Sequence, residues 1–223
     1  MSPAPPRPFV YSPPAPGPLP VLFADDHILV LDKPSGLLTV PGNQPERADC
    51  LEKRARVDFP TARIIHRLDM DTSGVIVMGL TLEAQARVSR QFEQRATRKV
   101  YIALVWGRVA EAEGRVDQPL MTDWPNRPKQ HIDPINGRRA ITDWTALETG
   151  AESTRMRLTP LTGRSHQLRV HMAYLGHPIL GDNLYAPNAA LAARDRLCLH
   201  SQSLEFAHPV SGKIVYVESP VPF

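Results

Sequence analysis

Residues 64–76 read Ile64-Ile65-His66-Arg67-Leu68-Asp69-Met70-Asp71-Thr72-Ser73-Gly74-Val75-Ile76. Two apolar residues enter, a polar run from His66 to Gly74 follows, and the apolar run Val75 to Met78 continues as a strand. Polar residues held between two apolar runs lie on a short loop carried by a rigid scaffold, a common place for catalytic groups. Asp69 stands two residues after Arg67 and close to His66, so its carboxylate is expected in a positive field that keeps it ionised. An ionised, positioned carboxylate serves as a nucleophile or a base. Taken alone, an Arg-x-Asp triplet is more often an ordinary turn, with Asp69 and Asp71 as caps and Arg67 in a surface ion pair.

The rest of the chain sets bounds on the chemistry. Its 223 residues suffice for one sizeable core, and 42% hydrophobic with 22% charged residues is a globular balance. A net charge of +3 is small, so a nucleic-acid surface must come from clustered Arg and Lys. Two cysteines, Cys50 and Cys198, make neither a disulfide framework nor a metal set, which fits reduced thiols in the cytoplasm. No apolar run approaches the length of a membrane span, and no signal-peptide pattern is present.

Residues 1–20 hold nine of the 23 prolines and read as an extended, mobile tail, too short for a folded module; 21–223 reads as one domain. Strands are expected at 21–23, 27–31, 75–80, 99–109, 139–148, 154–161, 198–206 and 213–218. Helical spacing covers 46–58, with Leu51 and Ala55 inward and Val57 and Phe59 as further inward candidates. A Thr81-capped helix is expected over 82–95, with Leu82, Ala86, Ser89 and Phe92 on its buried face. Residues 165–175 read as a further helix. Residues 121–137 hold three prolines and no period and read as a long functional loop. Strands with inserted helices, without regular βαβ alternation, give an α+β fold.

The nine-residue string from His66 to Gly74 resembles the signature loop of the RluA-type RNA pseudouridine synthases, His-Arg-Leu-Asp-x-x-Thr-Ser-Gly, at every fixed position. Lys33-Pro34-Ser35-Gly36-Leu37, the segment Lys99 to Gly107, and Gly163-Arg164-Ser165-His166-Gln167-Leu168-Arg169-Val170-His171 with its continuation to Tyr185 are similar to further motifs of that family. Asp123-Trp124-Pro125-Asn126-Arg127-Pro128-Lys129-Gln130 is similar to its dual-specificity branch. The resemblance implies a bent, mostly antiparallel mixed sheet flanked by helices with a central basic cleft, and no S4-like domain. It implies Asp69 as catalytic carboxylate, Arg169 as its ion-pair partner, Tyr101 stacked on the flipped uracil, Leu168 near the base, and Arg67 entering the RNA stack. His66, Arg127, Lys129 and Arg164 are further RNA-contact candidates. The implied substrates are uridines in 23S rRNA hairpins and tRNA anticodon stem-loops; a monomer is the default expectation.

The residue types suit that reaction. Breaking the N1–C1′ bond, turning the uracil and joining C5 to C1′ involves no net redox change or group transfer, so no cofactor or metal is expected. A stacked base must be flipped out at a cost of roughly a few kcal/mol, which a guanidinium filling the gap partly offsets. Asp69 could attack C1′, add to C6 or remove the 2′ proton; the residues do not choose. His166 and His171 are five apart, not the i, i+4 spacing of a helical zinc pair. Two rivals stand beside this reading. One is a catalytically silent RNA-binding protein. The other is a glycosidic-bond hydrolase, which needs a second flanking carboxylate; Asp71 is the near neighbour and is expected to point away.

Overall fold

The computed structural model describes residues 11–223, so the first half of the proline-rich tail lies outside it. Among the described residues the elements are β1 (Val21–Ala24), β2 (Ile28–Lys33), α1 (Leu51–Asp58), β3 (Arg63–Ile64), β4 (Ser73–Gly79), α2 (Leu82–Glu93), β5 (Arg98–Trp106), β6 (Glu113–Asp117), β7 (Leu120–Thr122), β8 (Gln130–Ile132), β9 (Ile141–Thr149), β10 (Ser153–Pro160), α3 (Gln167–Tyr174), α4 (Asn188–Ala192), β11 (Leu199–Ala207) and β12 (Ile214–Glu218). The main sheet runs β1-β2-β4-β11-β5-β10-β9-β6, with β12 added on β11 and β3 on β4. All its described pairings are antiparallel except β4 with β11. The fold is α+β with a mixed, mostly antiparallel sheet, as the sequence predicts.

β4 is buried along its whole length because both faces are covered. Val75 and Val77 pack with Ile28, Val30 and the α2 residues Ala84 and Val88. Ile76 and Met78 face the other way, onto Leu29, Leu31 and the α1 residues Leu51 and Ala55. A third core lies under α3, where Leu168 and Met172 meet Ala103, Val105 and Met156. Tyr101 packs against both this core and the α1 core, so it stands at the seam between the two halves of the sheet.

Gly74 is required where β4 starts. Its φ is +110°, and a Cβ there would run into the backbone oxygen of Ser201 on β11. That close approach seats the exit of the Asp69 loop directly on the neighbouring strand.

Four expectations need correction. The buried face of α2 is Ala84 and Val88 with Phe92 partly covered, while Leu82 is 66% exposed; the helix is rotated so that its small residues approach the sheet closely. The cap itself is as expected, with Thr81 Oγ1 accepting from the Ala84 N–H at 3.1 Å. Residues 121–137 contain a hairpin, β7 paired with β8, rather than a structureless loop; strands of three residues are too short to show a period. β3, β6 and α4, of two, five and five residues, also escaped the sequence reading. Residues 11–20 are extended but anchored: Tyr11 Oη donates to the Asp49 carbonyl at 2.9 Å, and Arg54 Nη2 donates to the Pro14 carbonyl at 2.7 Å.

Candidate active site

The Asp69 loop is fixed from beneath by three side chains, one at the end of β2 and two in the segment that follows it. Lys33 is fully buried, and its Nζ donates to the carbonyls of Pro34 at 2.9 Å, Leu37 at 2.7 Å and Met70 at 2.8 Å. Ser35 Oγ donates to the Asp71 carbonyl at 2.7 Å, and Thr39 Oγ1 donates to the Leu68 carbonyl at 2.7 Å. Three carbonyls flanking Asp69 are thus each held by a different side chain. Burial pulls the Lys33 ammonium down to about 7, against the pull of the Asp71 and Asp69 carboxylates. Its three carbonyl acceptors match the three donors of the charged form.

Asp69 is 26% exposed, and its Oδ2 lies 3.7 Å from Arg169 Nη1. The expected pair is therefore present, but it is the looser of two. Arg169, on α3, binds Asp182 bidentately, with Nε to Oδ2 at 2.8 Å and Nη2 to Oδ1 at 2.7 Å. Arg169 is 3% exposed and Asp182 fully buried. Burial opposes the Arg169 charge, but Asp182 and Asp69 outweigh it and hold the guanidinium above its ordinary value. Asp182 also accepts the backbone N–H groups of Leu184 at 2.9 Å and Tyr185 at 3.1 Å. Arg169 lies over the Tyr185 ring, 5.3 Å from its centroid.

Asp71 does not turn its back on this cluster. It is partly buried, takes a 3.4 Å contact from Asn183 Nδ2, and lies in the fields of Arg169, Lys33, Asp182 and Asp69. Burial is the largest effect on it and pushes its carboxyl above the ordinary range.

His166 is a group the sequence did not single out for the site. It precedes α3 in the left-handed region, φ 55° and ψ 15°, one of two non-glycine residues with positive φ among those described. Such a conformation costs about 1 kcal/mol and persists where the surroundings impose it. Its Nδ1 is 2.7 Å from Tyr185 Oη, and Tyr185 Oη accepts the Gln130 N–H at 2.8 Å. Burial lowers the His166 pKa, opposed first by the nearby Asp69. The Tyr185 hydroxyl thereby links α3 to the β7–β8 hairpin. Burial raises its pKa, so it stays protonated.

The other expected residues distribute as follows. Tyr101, on β5, is partly buried in the field of Asp69, and burial pushes its hydroxyl up to about 12. Arg67 is exposed and makes no ion pair or hydrogen bond among the described residues. Arg127 is exposed on the β7–β8 turn with its guanidinium 4.0 Å above the Trp124 ring; Lys129 ends that turn, its N–H bonded to the Asn126 carbonyl at 3.1 Å. Arg164 Nε donates to the Arg139 carbonyl at 3.1 Å.

Two of the RNA-contact candidates, His66 and Leu168, are packed into the scaffold. His66 Nε2 accepts the Val77 N–H at 3.1 Å, and its ring stacks on Phe92 at 4.4 Å. Burial, then the Lys99 charge, drives its pKa to about 3, so the ring is neutral. Leu168 is 6% exposed in the α3 core. Ser73 and His200 do form a 2.8 Å contact, but both are buried and Ser73 Oγ is taken by Arg196 Nη2 at 2.6 Å. This is a strut, not a hydrolase pair.

A carboxylate aimed from a clamped loop, backed by an arginine and flanked by a tyrosine, suits chemistry on a flipped-out base. The chain belongs to the RNA pseudouridylate synthase family, whose sequence model matches residues 27–174. It is 50% identical over 214 residues to the dual-specificity RNA pseudouridine synthase RluA of Escherichia coli K12, covering 96% of this chain and 98% of that protein. The RluA protein of Yersinia pestis is likewise 50% identical over 204 residues, 91% of this chain and 99% of that one. Among solved structures, the human RNA pseudouridylate synthase domain containing 1 superposes with a TM-score of 0.79 at 30% identity, covering 95% of this chain and 87% of that chain.

Proposed function

We propose that this chain isomerises uridine to pseudouridine in stem-loop RNA, and that it serves two substrates, a 23S rRNA hairpin and the tRNA anticodon stem-loop. The dual specificity is argued from the near full-length likeness to proteins bearing that description. The observation that carries the catalytic reading is the half-open Asp69 carboxylate above a floor that fixes its backbone at Leu68, Met70 and Asp71.

In this reading Asp69 is the group that acts on the nucleotide. Arg169, immobilised by Asp182, holds the carboxylate's place and charge. Tyr101 offers its ring to the uracil, where stacking is tolerant of neighbouring sequence. Arg67, exposed and without a partner among the described residues, is free to fill the gap left by the flipped base. Arg127 and Lys129, on a turn tied to Tyr185 through Gln130, meet the RNA at the rim. The reaction is an isomerisation, so the reading calls for no cofactor. It places a monomer in the cytoplasm with its RNA substrates; no described helix is long and apolar enough to cross a membrane.

The test is tritium release from [5-³H]uridine RNA by wild type and Asp69→Asn, on an anticodon stem-loop and an rRNA hairpin. The expected result is release from both RNAs by wild type and a loss of at least about 10³-fold in the variant, with RNA affinity within a few-fold. Release from one RNA overturns the dual specificity; substantial activity in Asp69→Asn overturns the catalytic assignment.

A further inference from the structure

A groove of about 400 Å³ opens where β5 begins and β10 ends, lined by Arg95, Arg98, Lys99, Arg115 and Arg139. Its other walls are Thr97, Ile141, Thr159, Pro160 and Leu161, so no carboxylate lines it. Arg115 is held by Asp143 and Arg139 lies 3.6 Å from Asp117, but Arg95, Arg98 and Lys99 have no acidic partner within ion-pair distance among the described residues. Gathering like charges in one depression is unfavourable unless an anion joins them. The repulsion is felt: burial and then Arg95 lower the Lys99 ammonium, and Arg164 is lowered by burial and then by Arg138 and Arg95.

Arg95 is placed there at a conformational cost. It closes α2 in the left-handed region at φ 59°. The Arg95 N–H bonds to the Phe92 carbonyl at 3.2 Å and the Ala96 N–H to the Gln91 carbonyl at 2.8 Å. That arrangement is the helix stop at which glycine is the usual residue. An arginine in a glycine's position, pointing its charge into a groove of cations, has no use to the fold alone.

We propose that this groove binds the sugar–phosphate backbone of the RNA stem adjoining the target loop. The proposal rests on the RNA-modification reading above and extends it from the base to the stem. The groove starts beside the site: Lys99 stands two residues before Tyr101 on β5, and its charge acts on His66 at the head of the Asp69 loop. From there it crosses β5, β10, β9 and β6, adjacent strands in that order. Three inter-strand steps span about 14 Å, enough to follow more than one phosphate of a strand. A small anion needs one or two cations, not five side chains spread from the start of β5 to β6. Phosphate contacts of this kind fix register and orientation without reading sequence, which suits an enzyme that serves two RNAs of different sequence around a shared loop.

The test measures RNA affinity against salt concentration for wild type, Arg95→Gly, and the double variant Arg95→Gln/Arg98→Gln. Arg95→Gly removes the charge while supplying the residue the helix stop prefers, so its fold is not at risk. Each RNA is used as an intact stem-loop and as the isolated loop oligonucleotide. The expected result is about tenfold weaker stem-loop binding by the double variant, with the log–log salt slope shallower by about one per lost phosphate contact. Arg95→Gly should show about half that change of slope, and the isolated loop should bind wild type and variants within about twofold. An unchanged slope on the stem-loop overturns the proposal. Equal losses on both RNAs also overturn it, by moving the contact from stem to loop. Tritium release by wild type separates the two readings: no product sinks the enzymatic reading, whereas product with an unchanged slope sinks the groove alone.

Discussion

The floor and the rim of the site are built differently. Beneath Asp69, Lys33, Ser35 and Thr39 pin successive carbonyls, and Arg169 is locked by two bonds to a fully buried carboxylate. On the β7–β8 turn, Trp124 is 58% exposed and Arg127 rests on it through a single stacking contact. The floor fixes one geometry for a reacting atom, which tolerates little displacement. The rim offers a ring and a charge that can re-aim, which suits partners that differ in shape. Rigidity is concentrated where bonds change and withheld where partners vary.

Four substitutions would break or sharpen that contrast. The largest effect is expected for Asp182→Ala, which leaves the buried Arg169 guanidinium with the looser Asp69 contact, a 3.1 Å bond to Asn183 Oδ1 and the Tyr185 ring, but without its bidentate carboxylate. Equilibrium unfolding in denaturant should show a loss of about 3–5 kcal/mol. The double variant Arg169→Met/Asp182→Leu should recover part of that loss, and a strictly additive result would contradict a coupled pair. Lys33→Met should cost about 2–3 kcal/mol, because three buried carbonyls lose their donor. Its turnover at saturating RNA should fall further than its affinity, since the loop that aims Asp69 is released; an affinity loss alone would assign Lys33 to the rim.

Asp71→Asn should have a smaller effect of opposite sign. The folded carboxyl titrates above its ordinary 3.8, so the fold disfavours its ionised form. That penalty is complete above the raised folded value and vanishes as pH falls below the ordinary one. The variant should therefore melt higher than wild type at neutral pH and converge with it toward pH 3; a gap that widens on acidification would refute the assignment. Trp124→Ala is the smallest: RNA affinity should drop about three- to fivefold, roughly 0.5–1 kcal/mol, with stability unchanged.

What the sequence made legible was local. The Asp69 loop announced itself because polar residues interrupt two apolar runs, and Thr81 because a cap precedes a periodic helix. Lys33 was hidden for the opposite reason: it ends the apolar run of β2, and nothing near it in the chain says that its ammonium reaches Met70, 37 residues later. Asp182 and Tyr185 were read as part of a motif but not given roles, because their partners come from α3 and from the β7–β8 hairpin. His166 appeared within a motif and as half of a rejected metal pair but without a role at the site, since a left-handed backbone leaves no mark in the residue sequence. Leu82 shows the limit of helical spacing: it sits on the apolar stripe, yet the sheet receives Ala84 and Val88 instead.

The single parallel seam of the main sheet carries a consequence in time. Ser73 and Gly74, at the exit of the Asp69 loop, are seated against His200 and Ser201, and the Ser73–His200 contact joins residues 127 apart in the chain. A growing polypeptide that has already presented Asp69, Tyr101 and Arg169 still lacks the strand on which the loop rests. Contacts so distant in sequence form late and slowly, and domains complete as units during synthesis. The nascent chain therefore emerges with Asp69, Tyr101 and Arg169 already made, while the geometry of the loop waits for the synthesis of Leu199–Ala207.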